Sequence, residues 1–220
     1  MMRRLIFALV FGLSGTAILV SLSYWQVQRL AWKEARIAEL EIRMAETPRD
    51  LEDYEEPERF HAVQAEGRFA GATLDVLTSR PGDGPGFRVI QRFETGNGAV
   101  LVDRGFLPEA EKGSQLASGP MLVVGHFDMP QESDSFTPSP NAERGIWFAR
   151  DVETMAAALD TRPVLIVASR PTGEPSPRPM PVSITLPNNH LQYAITWGLL
   201  AVVWLAMTGL YVLGKRGKSA

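Results

Sequence analysis

Two stretches of this chain are free of charged residues and almost wholly apolar, one near each end. Leu5 to Trp25 covers 21 residues. At the helical rise of roughly 1.5 Å per residue that is about 31 Å, the thickness of a bilayer's hydrocarbon core. Leu191 to Gly214 reaches about 36 Å by the same arithmetic. The pattern predicts two transmembrane helices, 1–25 and 188–214. Arg3 and Arg4 precede the first, and Lys215, Arg216 and Lys218 in the basic tail 215–220 follow the second. The positive-inside tendency then places both termini in the cytoplasm and everything from Gln26 to His190 in the periplasm of a bacterial inner membrane. A cleaved signal peptide is the rival reading, with Met1 to Arg4 as basic region and Ser21-Leu22-Ser23 as cleavage site. The length of the run and the interfacial pair Tyr24 and Trp25 favour a retained anchor. With four residues before the apolar run, a mitochondrial presequence is not expected.

Between the spans the periodicity changes twice. Over 26–47, Val27, Leu30, Ile37, Leu40 and Met44 recur at helical steps, with Glu39 and Arg43 on another face. This predicts an amphipathic helix continuing out of the membrane, ended by Pro48 and followed by the acidic connector Asp50 to Glu58. Strand-like runs then alternate with turn signals through 48–170: Ala62 to Phe69, Thr73 to Thr78, Phe87 to Phe93, Val100 to Asp103, Met121 to Phe127, Ile146 to Ala149 and Val164 to Ala168. Short connections predict antiparallel pairing, and Gly96-Asn97-Gly98 should close a hairpin. One helix, Val152 to Leu159, should lay Met155 and Leu159 on the sheet. The fold class expected is α+β: two transmembrane helices flanking an exported, antiparallel β-rich, barrel-like domain with one or two packed helices. Six prolines in 171–187 predict an extended tether back to the membrane.

Charge and composition narrow the function. Without the five terminal basic residues, the exported part holds 17 Lys and Arg against 25 Asp and Glu, a net of -8 that disfavours nucleic acid. The absence of cysteine excludes disulfides, thiolate zinc sites, c-type haem attachment and thiol-based copper transfer. No Gly-x-Ser-x-Gly elbow, phosphate loop or His-Glu-x-x-His helix is present, and Gly82 to Gly86 reads as a turn. His61 and His126 lie in strand-like contexts as ordinary packed or surface residues, and no two of the three histidines have ligand spacing.

His190 differs, standing at the mouth of the second span behind Asn188 and Asn189, which can cap the helix. Steps of seven from it reach Trp197, Trp204 and Tyr211, with Tyr193 and Leu200 between them. Such a face could ligate iron and pack a lipophilic macrocycle, or anchor the helix at the interface. In the first span Ala8, Gly12 and Thr16 form a small-residue series that could receive Ala194 and Gly198. Trp25 and Arg29 share a face at the depth of His190, where the guanidinium could meet ligand carboxylates or lipid phosphate.

These residues resemble the Surfeit locus protein 1 family, known in yeast as Shy, over nearly the whole chain. The resemblance rests on Ser23-Tyr24-Trp25-Gln26-Val27-Gln28-Arg29, where the family usually has Gly at the position of Ser23. It rests also on Gly67-Arg68-Phe69, Val102-Asp103-Arg104-Gly105-Phe106-Leu107-Pro108, and Phe136-Thr137-Pro138 with Asn141, Trp147, Asp151 and Met155. Asn188 to Trp197 matches best. It implies a non-enzymatic assembly factor for haem-copper terminal oxidases, binding haem a and assisting its insertion into the largest subunit. Its implied partners are that subunit, haem a synthase or other assembly factors, and membrane lipid. The resemblance further implies His190 as a haem a ligand; with His190 as the axial ligand of the iron, Tyr193 and Trp197 are expected to flank the ring and Arg29 to meet its propionates, with Trp25 a further candidate cofactor-binding residue. A scaffold that never touches haem is the alternative.

Overall fold

The computed structural model describes residues 2–141, 145–184 and 187–216. Leu186 and residues 217–220 of the basic tail lie outside them. The chain divides into a helical unit, Met1–Glu39 with Thr185–Ala220, and a β-rich unit, Leu40–Ile184. Two long apolar helices, α1 (Met2–Met44) and α3 (His190–Arg216), flank the strands in sequence and are long enough to cross a membrane. α1 runs unbroken past the apolar stretch and stops at Met44, short of Pro48.

Among the described residues seven strands make the sheet: β1 (Arg49–Asp50), β2 (Ala62–Arg80), β3 (Gly84–Thr95), β4 (Gly98–Pro108), β5 (Pro120–Asp128), β6 (Ile146–Trp147) and β7 (Leu165–Ala168). The runs 62–69 and 73–78 are one strand, interrupted only by a register slip between Ala70 and Thr73. Its first half pairs with β5 and its second with β3, so β2–β3–β4–β7–β5 closes into a ring. The expected hairpin is present, with Thr95 opposite Gly98 across the Gly96-Asn97 turn. The closely connected strands β2–β3 and β3–β4 pair antiparallel as expected, as do β2–β5 and β5–β7, while β4 and β7 run parallel, as do β1 and β6 beside β2. Short loops constrain only consecutive strands, and β5, β6 and the helix intervene between β4 and β7.

Alternation of side chains builds two cores. Val63, Phe69, Phe93, Val100, Val102, Val123, Phe127 and Ile166 fill the ring. Leu74, Ile90, Leu101, Leu165 and Val167 point outward and are covered by α2 (Val152–Leu159) through Met155, Ala156 and Leu159. Asp151 caps that helix by accepting from Thr154 N at 2.9 Å.

Two charged residues of the β4 motif are completely buried. Arg104 is the extra residue of a bulge, since Ile90 pairs with Asp103 and Val89 with Gly105. Its guanidinium lies 3.9 Å from the centre of the Phe69 ring. It donates to Gln91 Oε1 at 2.7 Å, Thr172 O at 2.7 Å and Thr172 Oγ1 at 3.0 Å. Burial pushes its pKa down to about 10, which leaves it charged at neutral pH. Asp103 points the other way and accepts from Arg88 at 2.6 Å, with Arg150 Nη1 at 3.6 Å. Burial pushes the Asp103 carboxyl up, against the pull of these two arginines. Arg150 also reaches Asp128 at 3.4 Å and Glu132 at 2.5 Å.

The described part of the proline-rich segment, 171–184, lies along the sheet. Phe106 and Arg178 exchange backbone hydrogen bonds at 2.7 and 2.8 Å, and Arg88 Nη2 donates to Met180 O at 3.0 Å. Gly105 makes this approach possible: its φ is +107°, and a Cβ there would sit 2.1 Å from Arg178 O.

Arg88→Met leaves a buried carboxylate short of its main partner and should destabilise the protein by about 3–5 kcal/mol. Adding Asp103→Asn should recover part of this loss. Urea unfolding of the detergent-solubilised chain, followed by circular dichroism of the sheet, measures both.

Candidate functional site

Within the helical unit α1 and α3 run antiparallel, because successive contacts advance along one as they retreat along the other. Gly12 meets Thr208, Gly15 meets Trp204, Ser23 meets Ala194, and Gln26 meets His190. A Cβ on Gly12 would come within 2.1 Å of Thr208 Cγ2, so the approach needs a residue without one. Ser23 Oγ donates to Ala194 O at 2.8 Å, and Trp204 Nε1 donates to Gly12 O at 3.1 Å. The expected pairing of Ala8, Gly12 and Thr16 with Ala194 and Gly198 is therefore corrected. In an antiparallel pair, Ala194 near the start of α3 is level with Ser23 near the C-terminal end of the apolar stretch of α1.

His190 opens α3 and is half-buried, with Nδ1 only 2.7 Å from Gln26 Oε1. Gln26 is itself buried. Facing a carbonyl-type oxygen, Nδ1 is the donor in the neutral form of the imidazole, which assigns the free lone pair of that form to Nε2. The helix start is closed by backbone, Tyr193 N donating to Asn189 O at 3.2 Å, while Asn188 Oδ1 is buried with no hydrogen-bond partner among the described residues.

The other expected site residues are placed as follows. Tyr193 and Trp25 are each more than half exposed, and Trp197, two turns below His190, is half-buried. Arg29 is exposed, with its guanidinium 4.4 Å from the centre of the Trp32 ring. The seven-residue series does not form one open aromatic wall. Trp204 belongs to the helix seam, because buried Ala194 and Ala201 make that side of α3 the one along which α1 can approach. Among the described residues no group of three or more His, Asp or Glu could hold a metal ion. Any metal held at this site would depend on the single imidazole. In the β-rich unit His126 Nε2 lies 2.9 Å from Met44 O, and His61 stacks on Tyr54 with centroids 5.8 Å apart.

Comparison with known proteins adds the lineage. Residues 13–202 match the profile of the SURF1 family. The chain belongs to the SURF1 family. Proteins of this family are assembly factors for cytochrome c oxidase. Surfeit locus protein 1 of Homo sapiens is 31% identical over 229 residues, covering 89% of this chain and 75% of that protein. The rat protein of the same name is 31% identical over 211 residues, covering 82% of this chain and 68% of its own length. A SURF1-like protein of Monosiga brevicollis is 30% identical over 224 residues, covering 89% and 84%.

Reading the sequence for ligands misses Gln26, although a polar residue at the end of an apolar run is a signal in its own right. The partner it orients is 164 positions away in sequence. The absence of native cysteine allows a direct test of the register. Ser23→Cys with Ala194→Cys should cross-link under mild oxidation, whereas Ala8→Cys with Ala194→Cys should not. Electrophoretic mobility with and without reductant distinguishes the two.

Proposed function

We propose that this chain binds haem a during assembly of a haem-copper terminal oxidase and assists its insertion into the largest subunit. The observation that carries the reading is the Nδ1 contact of His190 with Gln26, which leaves Nε2 as the nitrogen able to meet iron. Family membership supports the oxidase as the client. The two apolar spans support a site at the membrane, and the basic flanks support cytoplasmic termini and a periplasmic β domain in a bacterial inner membrane.

The residues present fit the group. A neutral imidazole with an oriented second nitrogen is a common axial donor. Tyr193, Trp197 and Trp25 supply flat apolar surface around the mouth of α3, and Arg29 supplies a cation for propionates. When bound, the haem supplies a coordination-hungry iron and a lipophilic ring; it is here cargo for the oxidase. Gln26 holds the imidazole in its ligating tautomer. A single side chain holding the iron favours release to a recipient that offers more ligands.

His190→Ala should abolish co-purified haem in cells that make haem a, with the Ser23–Ala194 cross-link retained as proof of folding. The visible spectrum and pyridine haemochrome extraction read this out, and retained haem removes the proposal. Gln26→Leu should weaken haem retention about 10- to 100-fold, the usual cost of removing a partner behind a ligating histidine. Arg29→Ala should also weaken retention, and unchanged affinity excludes the propionate role.

One observation favours the scaffold as a second reading. Phe136 is 91% exposed. Its turn is held by Asp134, which accepts from Phe136 N and Thr137 Oγ1 at 2.9 Å. A rigid turn presenting an aromatic ring is a docking element for an oxidase subunit. If the scaffold reading holds, Phe136→Ser should lose the co-purified oxidase subunit whatever the haem content, as scored by affinity pull-down.

A further inference from the structure

At the end of the helix pair that carries the chain termini, a groove of about 570 Å³ lies apart from His190. Trp204 stands 14 residues along α3 from His190, about 21 Å at the helical rise. Arg3 and Arg4 line the groove at the start of α1, and Phe7, Phe11, Trp204 and Met207 give it apolar walls. The walls are braced. Trp204 is held by its hydrogen bond to Gly12 O, its ring lies 5.5 Å from that of Phe11, and Phe11 stacks on Phe7 at 6.1 Å.

The chemistry changes along the groove in a definite order. Arg3 and Arg4 precede the first apolar residue of the span, at headgroup depth in a bilayer, and Phe11 lies about 12 Å deeper. Among the described residues the lining contains no carboxylate to neutralise the guanidinium groups and no imidazole to ligate iron. A planar guanidinium pairs with phosphate oxygens through two parallel hydrogen bonds. Aromatic and thioether walls below it accept hydrocarbon.

We infer that this groove binds one diacyl phospholipid with an anionic headgroup, its phosphate at Arg3 and Arg4 and an acyl chain along Phe7, Phe11 and Trp204. The inference rests on the helix pair spanning a bilayer and is independent of haem. A lipid held there would fasten the terminal end of the pair, beside the seam that Gly12 makes with Trp204 and Thr208.

Native mass spectrometry of the full chain, titrated with dioleoyl phosphatidylglycerol or dioleoyl phosphatidylcholine, tests it. One phosphatidylglycerol should be retained about thirtyfold more tightly than phosphatidylcholine, two basic groups acting on one anionic headgroup. Arg3→Gln with Arg4→Gln should reduce it to the phosphatidylcholine level, and Arg3→Lys with Arg4→Lys should keep most of the preference. Ala8→Trp should fill the groove and expel the lipid with both arginines intact. His190→Ala should leave lipid retention unchanged, which separates this site from the haem reading. Equal retention of the two lipids, an unaffected double Gln variant or lipid retained by Ala8→Trp overturns the inference. So does displacement of the lipid by millimolar inorganic phosphate, which marks a plain anion site. Haem absorbance lost in Ala8→Trp but kept in His190→Ala would assign the groove to the macrocycle instead.

Discussion

Every backbone N–H and C=O removed from water must find a partner, and this requirement shapes both units of the protein. The apolar ends of the chain meet it as helices, whose bonds are internal to the segment. The strands meet it by closing on themselves. Closure depends on β2, which is long enough to pair with β5 along one half and with β3 along the other. A shorter strand there would leave two open edges.

The same requirement explains why charged residues sit in the interior. A proline-rich segment carries few N–H groups and so offers mostly carbonyls when it lies against a sheet. Arginine has five donors and no acceptor. Arg104 and Arg88 supply donors to the carbonyls of Thr172 and Met180, and Asp103 offsets the charge of Arg88. Gly105 lets the two backbones touch. The Asp103-Arg104-Gly105 tripeptide thus joins the β ring to the segment that leads back toward α3.

In the helical unit, packing and the proposed chemistry draw on the same residues. Gly12, Gly15 and Ser23 bring α1 close enough to α3 for Gln26 to reach His190. The imidazole is oriented by the helix pair, so a histidine on an isolated helix of the same sequence would lack that constraint. The aromatic residues of α3 divide between seam and surface according to where the small residues permit contact.

What the sequence alone determined follows from local physics. Charge-free runs of bilayer length are two apolar helices, the Gly96-Asn97-Gly98 turn is a hairpin, and Val152 to Leu159 is a helix with Met155 and Leu159 buried. Each depends on neighbours a few residues apart. His190 stood out as the candidate ligand by its place at the mouth of an apolar span, ahead of aromatic residues at helical spacing. The tertiary structure decided the rest: the parallel pairing of β4 with β7, the union of two runs into β2, and the burial of Arg104 against Thr172. It also decided the antiparallel register that sets Ser23 against Ala194 and Gln26 against His190. These contacts join residues far apart in the chain, and periodicity reports only which face of an element is apolar, not what that face will meet.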